Sequence, residues 1–135
     1  MQIGTLAMFQ KFGYDKSVTD SQVYREELAL AEQTENLGFD SHWSVEHHFE
    51  DYSFCPDNVV YLSHLAAKTM NLKLATGAVI LPWNNPLRVA EKIALLDELS
   101  GGRAIFGMGR GLSRREYEQF GIDMETSREL FDEAA

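Results

Sequence analysis

Short apolar runs alternate along this chain with longer stretches whose apolar residues recur every three or four positions. That alternation is the pattern of βα units built on a parallel sheet. Ile3 to Phe9 reads as the first strand. A polar stretch from Gln10 to Thr19 reads as a mobile connection, after which Asp20 or Ser21 can cap a helix. This helix carries Val23, Leu28, Ala31 and Leu37, and Gly38 stops it. The second strand, Phe39 to Val45, runs into Glu46-His47-His48. A second helix over Asp57 to Met70 places Val59, Leu62, Leu65 and Ala66 on one stripe. Leu72 to Leu81 is a near-continuous apolar run of the kind buried on both faces of a sheet. Asn85-Pro86, a capping side chain followed by proline at the first helical position, starts a third helix. It is expected to bury Val89, Ile93, Leu96 and Leu99 and to end at Gly101-Gly102. Arg103 to Met108 is the fourth strand. Two capping boxes follow, Ser113 with Glu116 and Thr126 with Glu129, the second opening a helix that still runs at Ala135.

The order β-α-β-α-β-α-β-(α) fits a doubly wound open sheet or the first half of a (β/α)₈ barrel. An intact barrel needs ~250 residues, so 135 residues hold about half of one. The last helix has neither a stop residue nor a C-cap, which reads as truncation of a single incomplete domain. An open half-barrel leaves apolar interior and two strand edges uncovered, so a partner or a missing half is expected.

Composition narrows the partners. Hydrophobic residues make up 44% and charged residues 24%, the balance of a folded globular chain. A net charge of −9 opposes phosphate backbones and anionic lipid headgroups, so neither nucleic acid nor a membrane is expected as a partner. Cys55 is the single cysteine; with no signal peptide in view, the expectation is a soluble cytoplasmic protein.

Active sites of such folds form at the carboxyl ends of the strands. Three strand ends carry unusual residues here: Glu46-His47-His48, Gly77-Ala78 with Pro82-Trp83 beyond, and Gly107-Met108-Gly109-Arg110-Gly111-Leu112-Ser113. Alternate glycines let backbone approach a ligand closely, and Arg110 beside the start of a helical turn suits a phosphate monoester. The same segment also fits a tight turn with a solvated arginine. The third glycine of a dinucleotide fingerprint and the lysine of a P-loop are both missing. Glu46-His47-His48 fits general acid–base work or a plain strand end. A metal is a third use of this cluster, with His42 and His64 as further ligands, but neighbouring strand residues face opposite ways and His64 sits mid-helix, so no metal site is expected. Glycine in an apolar strand marks a bulge, close packing or a ligand against Gly77-Ala78.

At these residues the chain resembles the bacterial luciferase-like flavin monooxygenases. The likeness is carried by Gly38-Phe39-Asp40, Trp43, Glu46-His47-His48-Phe49, Leu81-Pro82, Pro86-Leu87-Arg88, Ala90-Glu91 and Leu96-Asp97. It continues through Ser100-Gly101-Gly102-Arg103, Phe106-Gly107, Arg110-Gly111 and Phe120-Gly121-Ile122-Asp123. The resemblance implies a (β/α)₈ barrel and a site for reduced FMN supplied by a separate flavin reductase. It implies reaction with O₂ to a peroxyflavin that oxidises a small apolar compound such as an aldehyde, alkane or terpene. Carried over by position, His47 is the catalytic histidine with Glu46 setting its orientation. Gly77-Ala78 falls where the family often has a non-proline cis peptide under the flavin ring, and Arg110 holds the phosphate with Leu112 nearby. Where luciferases proper have a cysteine before that arginine this chain has Gly109, which argues against light emission. A homo-oligomer is expected. A deazaflavin-dependent oxidoreductase of the same fold and a non-catalytic flavin-binding half-barrel are the alternatives.

Overall fold

The computed structural model describes residues 1–11 and 17–135; residues 12–16, the centre of the stretch read as a mobile connection, lie outside the described part. Four strands, β1 (Gly4–Ala7), β2 (Ser41–Ser44), β3 (Lys73–Thr76) and β5 (Ala104–Ile105), form one sheet in the order β1-β2-β3-β5. All three pairings are parallel, with Gly4 opposite Ser41, Ser41 opposite Lys73 and Leu74 opposite Ala104. Helices α1 (Asp20–Thr34), α2 (Asn58–Ala66) and α3 (Pro86–Ser100) connect them. Each strand thus lies beside its predecessor in sequence, as in a barrel and unlike a doubly wound sheet, whose order reverses partway.

The third and fourth strands are each shorter than the apolar runs predict. Leu72 to Leu81 divides into β3 and β4 (Val79–Ile80), and Arg103 to Met108 divides into β5 and β6 (Met108–Gly109); β4 pairs with β6 as a separate parallel ladder. A cis peptide joins Gly77 and Ala78 at the first break. At the second, the buried Thr76 hydroxyl replaces the missing ladder. It donates to the Gly107 carbonyl at 2.9 Å and accepts from the Gly107 N–H at 2.9 Å. A β-carbon on residue 107 would stand 2.1 Å from the Thr76 carbonyl oxygen, so glycine is required there. Both breaks redirect the chain just before the carboxyl end of the sheet, where the site lies.

Helix limits differ from expectation for identifiable reasons. Thr19, not Asp20 or Ser21, caps α1, accepting from the Gln22 N–H at 3.2 Å. Helix α2 stops at Ala66 rather than Met70 because a guanidinium intercepts its end. Arg103 donates to the carbonyls of Ala66 (2.9 Å), Thr69 (3.1 Å) and Leu72 (2.9 Å) and to the Thr69 hydroxyl (2.8 Å). A cation at a helix C-terminus also complements the helix dipole. Asn85 and Pro86 start α3 as predicted, and Gly101 ends it with φ +73°. The inward stripe of α3 is Val89, Ile93, Leu96 and Ser100, which leaves Leu99 64% exposed. Leu37, also expected inside, is 70% exposed because α1 ends at Thr34 and the chain turns outward. The core between helices and sheet is built on Leu62, Leu65, Leu72, Leu74 and Phe9, each at most 1% exposed.

Buried in the same layer, His42 has both ring nitrogens engaged, Nδ1 with Thr5 Oγ1 at 2.8 Å and Nε2 with Tyr61 Oη at 2.9 Å. Burial pushes its pKa down to about 4 from an ordinary 6.5. Between those values the unfolded chain binds more protons than the folded one, so stability rises with pH through this window and falls on acidification. His42 is expected to contribute a loss of roughly 3 kcal/mol between pH 7 and pH 4. Urea denaturation of the wild type and of His42→Gln across that range checks this; equal pH slopes in both would assign the acid sensitivity elsewhere.

Candidate active site

His47, Glu46, Gly77, Ala78, Gly109, Arg110 and Leu112 all line one cavity of about 270 Å³ at the carboxyl end of the sheet, joined there by Val45, Ile80, Gly111 and Glu116. The residues arrive from three loops, after β2, around β4 and after β6. A larger open depression of about 620 Å³ lies between Asp20 and Arg115, lined by charged side chains and by Phe49, Tyr52 and Phe54, and none of the glycine-rich backbone reaches it. The smaller cavity is the one with chemistry in its walls.

Its floor is close to bare backbone. A β-carbon at Gly109 would come within 3.0 Å of both Ala78 Cβ and Ile80 Cδ1, and one at Gly111 within 2.8 Å of the Trp83 ring. Gly111 also has φ +83°, a conformation that disfavours any side chain. Arg110 is exposed, with one guanidinium nitrogen on Ser127 Oγ at 3.1 Å, while its carbonyl accepts from the Tyr117 hydroxyl. Among the described residues, that bond engages one of the five guanidinium donors. Leu112, 75% exposed, supplies an apolar edge.

The two carboxylates of the site do not act as the sequence suggested. Glu46, 5% exposed, is not the partner of His47. Its Oε1 accepts from Trp83 Nε1 (2.7 Å), from Asn84 Nδ2 (2.9 Å) and from His48 Nε2 (3.3 Å), and its Oε2 accepts from the Ile80 N–H (3.0 Å). It anchors the turn after β4 to the end of β2. The residue on His47 is Glu116, 1% exposed, whose Oε1 lies 3.1 Å from His47 Nδ1 and accepts the His48 N–H at 2.7 Å.

Glu116 sits on α4 (Arg114–Phe120) and was readable only as half of a capping box. Ser113 does cap that helix through the Glu116 N–H at 3.4 Å, but the glutamate side chain turns inward instead of closing the box. Thr126, the other expected cap, makes no side-chain cap bond; Asp123 caps the preceding 3-10 turn (Met124–Thr126) through the Glu125 N–H at 2.9 Å. Nothing in the spacing distinguishes a glutamate that closes a cap from one that reaches into a cavity.

Aromatic rings pack beside Gly111, outside the cavity lining. Trp83 stacks on Phe120 (5.3 Å, 23°) and meets Tyr117 and His48 edge-on. Cys55 lies outside it, buried beside Ser44; burial pushes its thiol up to about 11, which makes it a poor nucleophile. His64 is exposed on α2, remote from the cavity walls.

The sequence profile of the luciferase-like monooxygenase family matches residues 1–135. The alkanal monooxygenase alpha chain of the Kryptophanaron alfredi symbiont is 38% identical over 111 residues, covering 82% of this chain and 31% of that one. The structure of monooxygenase RslO1 from Streptomyces bottropensis superposes with a TM-score of 0.91 at 38% identity, over 99% of this chain and 40% of that one. A coenzyme F420 dependent tetrahydromethanopterin reductase from Methanopyrus kandleri superposes with a TM-score of 0.67 at 29% identity, over 90% and 30% of the two chains. The chain thus spans about a third of the length of the alkanal monooxygenase alpha chain. With the profile matched from end to end and the strand-end residues gathered at one cavity, this chain belongs to the luciferase-like monooxygenase family.

Proposed function

We propose that this chain carries the histidine, the ring-supporting wall and the phosphate seat of an FMN-dependent monooxygenase acting on a small apolar organic compound. The observation that carries the reading is the convergence of His47, Gly77-Ala78 and Gly109-Arg110-Gly111 on one cavity. The residues fit the group. A planar ring needs a wall free of bulky side chains, which Gly77, Ala78, Gly109 and Gly111 supply. A phosphate monoester needs an available guanidinium, which Arg110 supplies. Reduced FMN, delivered by a separate reductase, contributes the electrons with which such enzymes activate O₂. The chain's own part is to hold the ring against the glycine wall, to exclude water with Leu112, Ile80 and Val45, and to take or give a proton at His47. The 38% identity to RslO1 favours oxygenation over the hydride transfer of a deazaflavin enzyme, since the F420-dependent reductase is the more distant match in both sequence and geometry.

Arg110→Ala is expected to weaken FMN binding by roughly tenfold or more, through loss of a charge-assisted pair, with riboflavin binding unchanged because riboflavin has no phosphate. Fluorescence-quenching titrations of both flavins measure this. Equal loss for the two, or no loss for FMN, would remove the phosphate seat from Arg110. Titration with a deazaflavin coenzyme alongside separates the hydride-transfer alternative.

A further inference from the structure

His47 and Glu116 lie 69 residues apart and meet at 3.1 Å, Nδ1 to Oε1, beside the cavity. The same oxygen accepts the N–H of His48 at 2.7 Å, so one atom holds both the ring of His47 and the backbone that follows it. Glu116 is itself fixed: it is 1% exposed, its N–H is held by Ser113, and its neighbour Tyr117 reaches the Arg110 carbonyl. An ionised carboxylate only accepts hydrogen bonds, so the proton of this contact belongs to His47 Nδ1. In the neutral ring Nε2 is then bare. Among the described residues no hydrogen-bond partner engages Nε2, and the ring meets Tyr52 edge-on at 5.7 Å.

From this arrangement we infer that Glu116 is a positioning residue. It holds neutral His47 as the Nδ1–H tautomer, so that Nε2 presents a proton-accepting lone pair to the cavity. The inference rests, for its effect on turnover, on the reading that His47 works at that cavity. Glu46, adjacent in sequence, does not perform this task, because its oxygens are occupied by Ile80, Trp83, Asn84 and His48.

The test is nitrogen NMR on the intact protein with ¹⁵N-labelled histidine, joined to turnover measurements. In the wild type the neutral His47 ring is expected to show a protonated Nδ1 and a bare Nε2. Glu116→Gln is expected to keep that pattern, since the oxygen that accepts from His48 N–H holds the amide carbonyl inward. Glu116→Leu is expected to move the ring toward the Nε2–H tautomer ordinarily favoured in water. Turnover should fall ~10–100-fold in the leucine variant, as when a histidine loses the carboxylate that orients it, and substantially less in the glutamine variant. A wild-type ring protonated at Nε2 overturns the inference, as does an unaltered pattern in a folded leucine variant. Should leucine prevent folding, the wild-type pattern and its retention in Glu116→Gln still decide. The ring-nitrogen signals do not depend on flavin chemistry, so a correct tautomer with unchanged turnover in His47→Ala would reject the proposed function and leave this assignment standing.

Discussion

Replacing His47 with alanine is expected to lower turnover by ~10²–10⁴-fold, the span ordinarily lost with a general acid–base group. The expectation follows from position. Of its two ring nitrogens, one is held by Glu116 at 3.1 Å, and the ring lines the cavity with its side chain 19% exposed. It is reachable by a ligand yet constrained on its inner edge, which is the arrangement a proton-transferring imidazole needs. Alanine removes the proton carrier and leaves Arg110 and the glycine wall untouched, so FMN affinity is expected to stay nearly constant. Steady-state turnover and FMN titration on the same variant separate the two quantities. Unchanged turnover would remove His47 from catalysis, and a parallel collapse of FMN affinity would make it a binding residue instead.

Glu46→Ala is expected to cost about 3–5 kcal/mol of stability, the range for breaking a buried, multiply bonded charged group. Four donors converge on this one carboxylate, and the Ile80 N–H among them is buried. Removing the acceptor leaves each donor short of a partner where water does not readily replace it. Glu46→Gln is expected to cost less, about 1–3 kcal/mol, because Oε1 can remain an oxygen for three of the donors while an amide nitrogen opposes the Ile80 N–H. Equilibrium denaturation measures both. A loss below ~0.5 kcal/mol for the alanine variant would show that water substitutes for the carboxylate, and that the loop after β4 needs no such anchor.

Glu46 and Glu116 also mark the boundary of what one-dimensional reading reaches. The parallel βα order was legible because buried strands and amphipathic helices leave periods in the chain, as in Leu72 to Leu81 and along Val59, Leu62, Leu65 and Ala66. The start and stop of α3 were legible because Asn85-Pro86 and Gly101 act locally, through a capping oxygen, a fixed φ and a left-handed turn. His47, Arg110 and the glycines were legible as candidates because the fold places all strand ends on one face. Their gathering at a single cavity followed from that rule.

The pairing of side chains was decided by tertiary structure alone. The resemblance implied that Glu46 orients His47, but in the loop after β2 the two side chains bond different segments: His47 meets α4 through Glu116, and Glu46 holds the turn after β4. The partner of His47 came from a helix that reads as capped and finished. The end of α2 was likewise set from a distance, by Arg103 taking its carbonyls. The sequence by itself thus determined the order of the main strands and helices and the residue types offered at each strand end, since those depend on period and local backbone preference. Which carboxylate meets which histidine depends on distances between segments about 70 residues apart, and only the packed structure sets those.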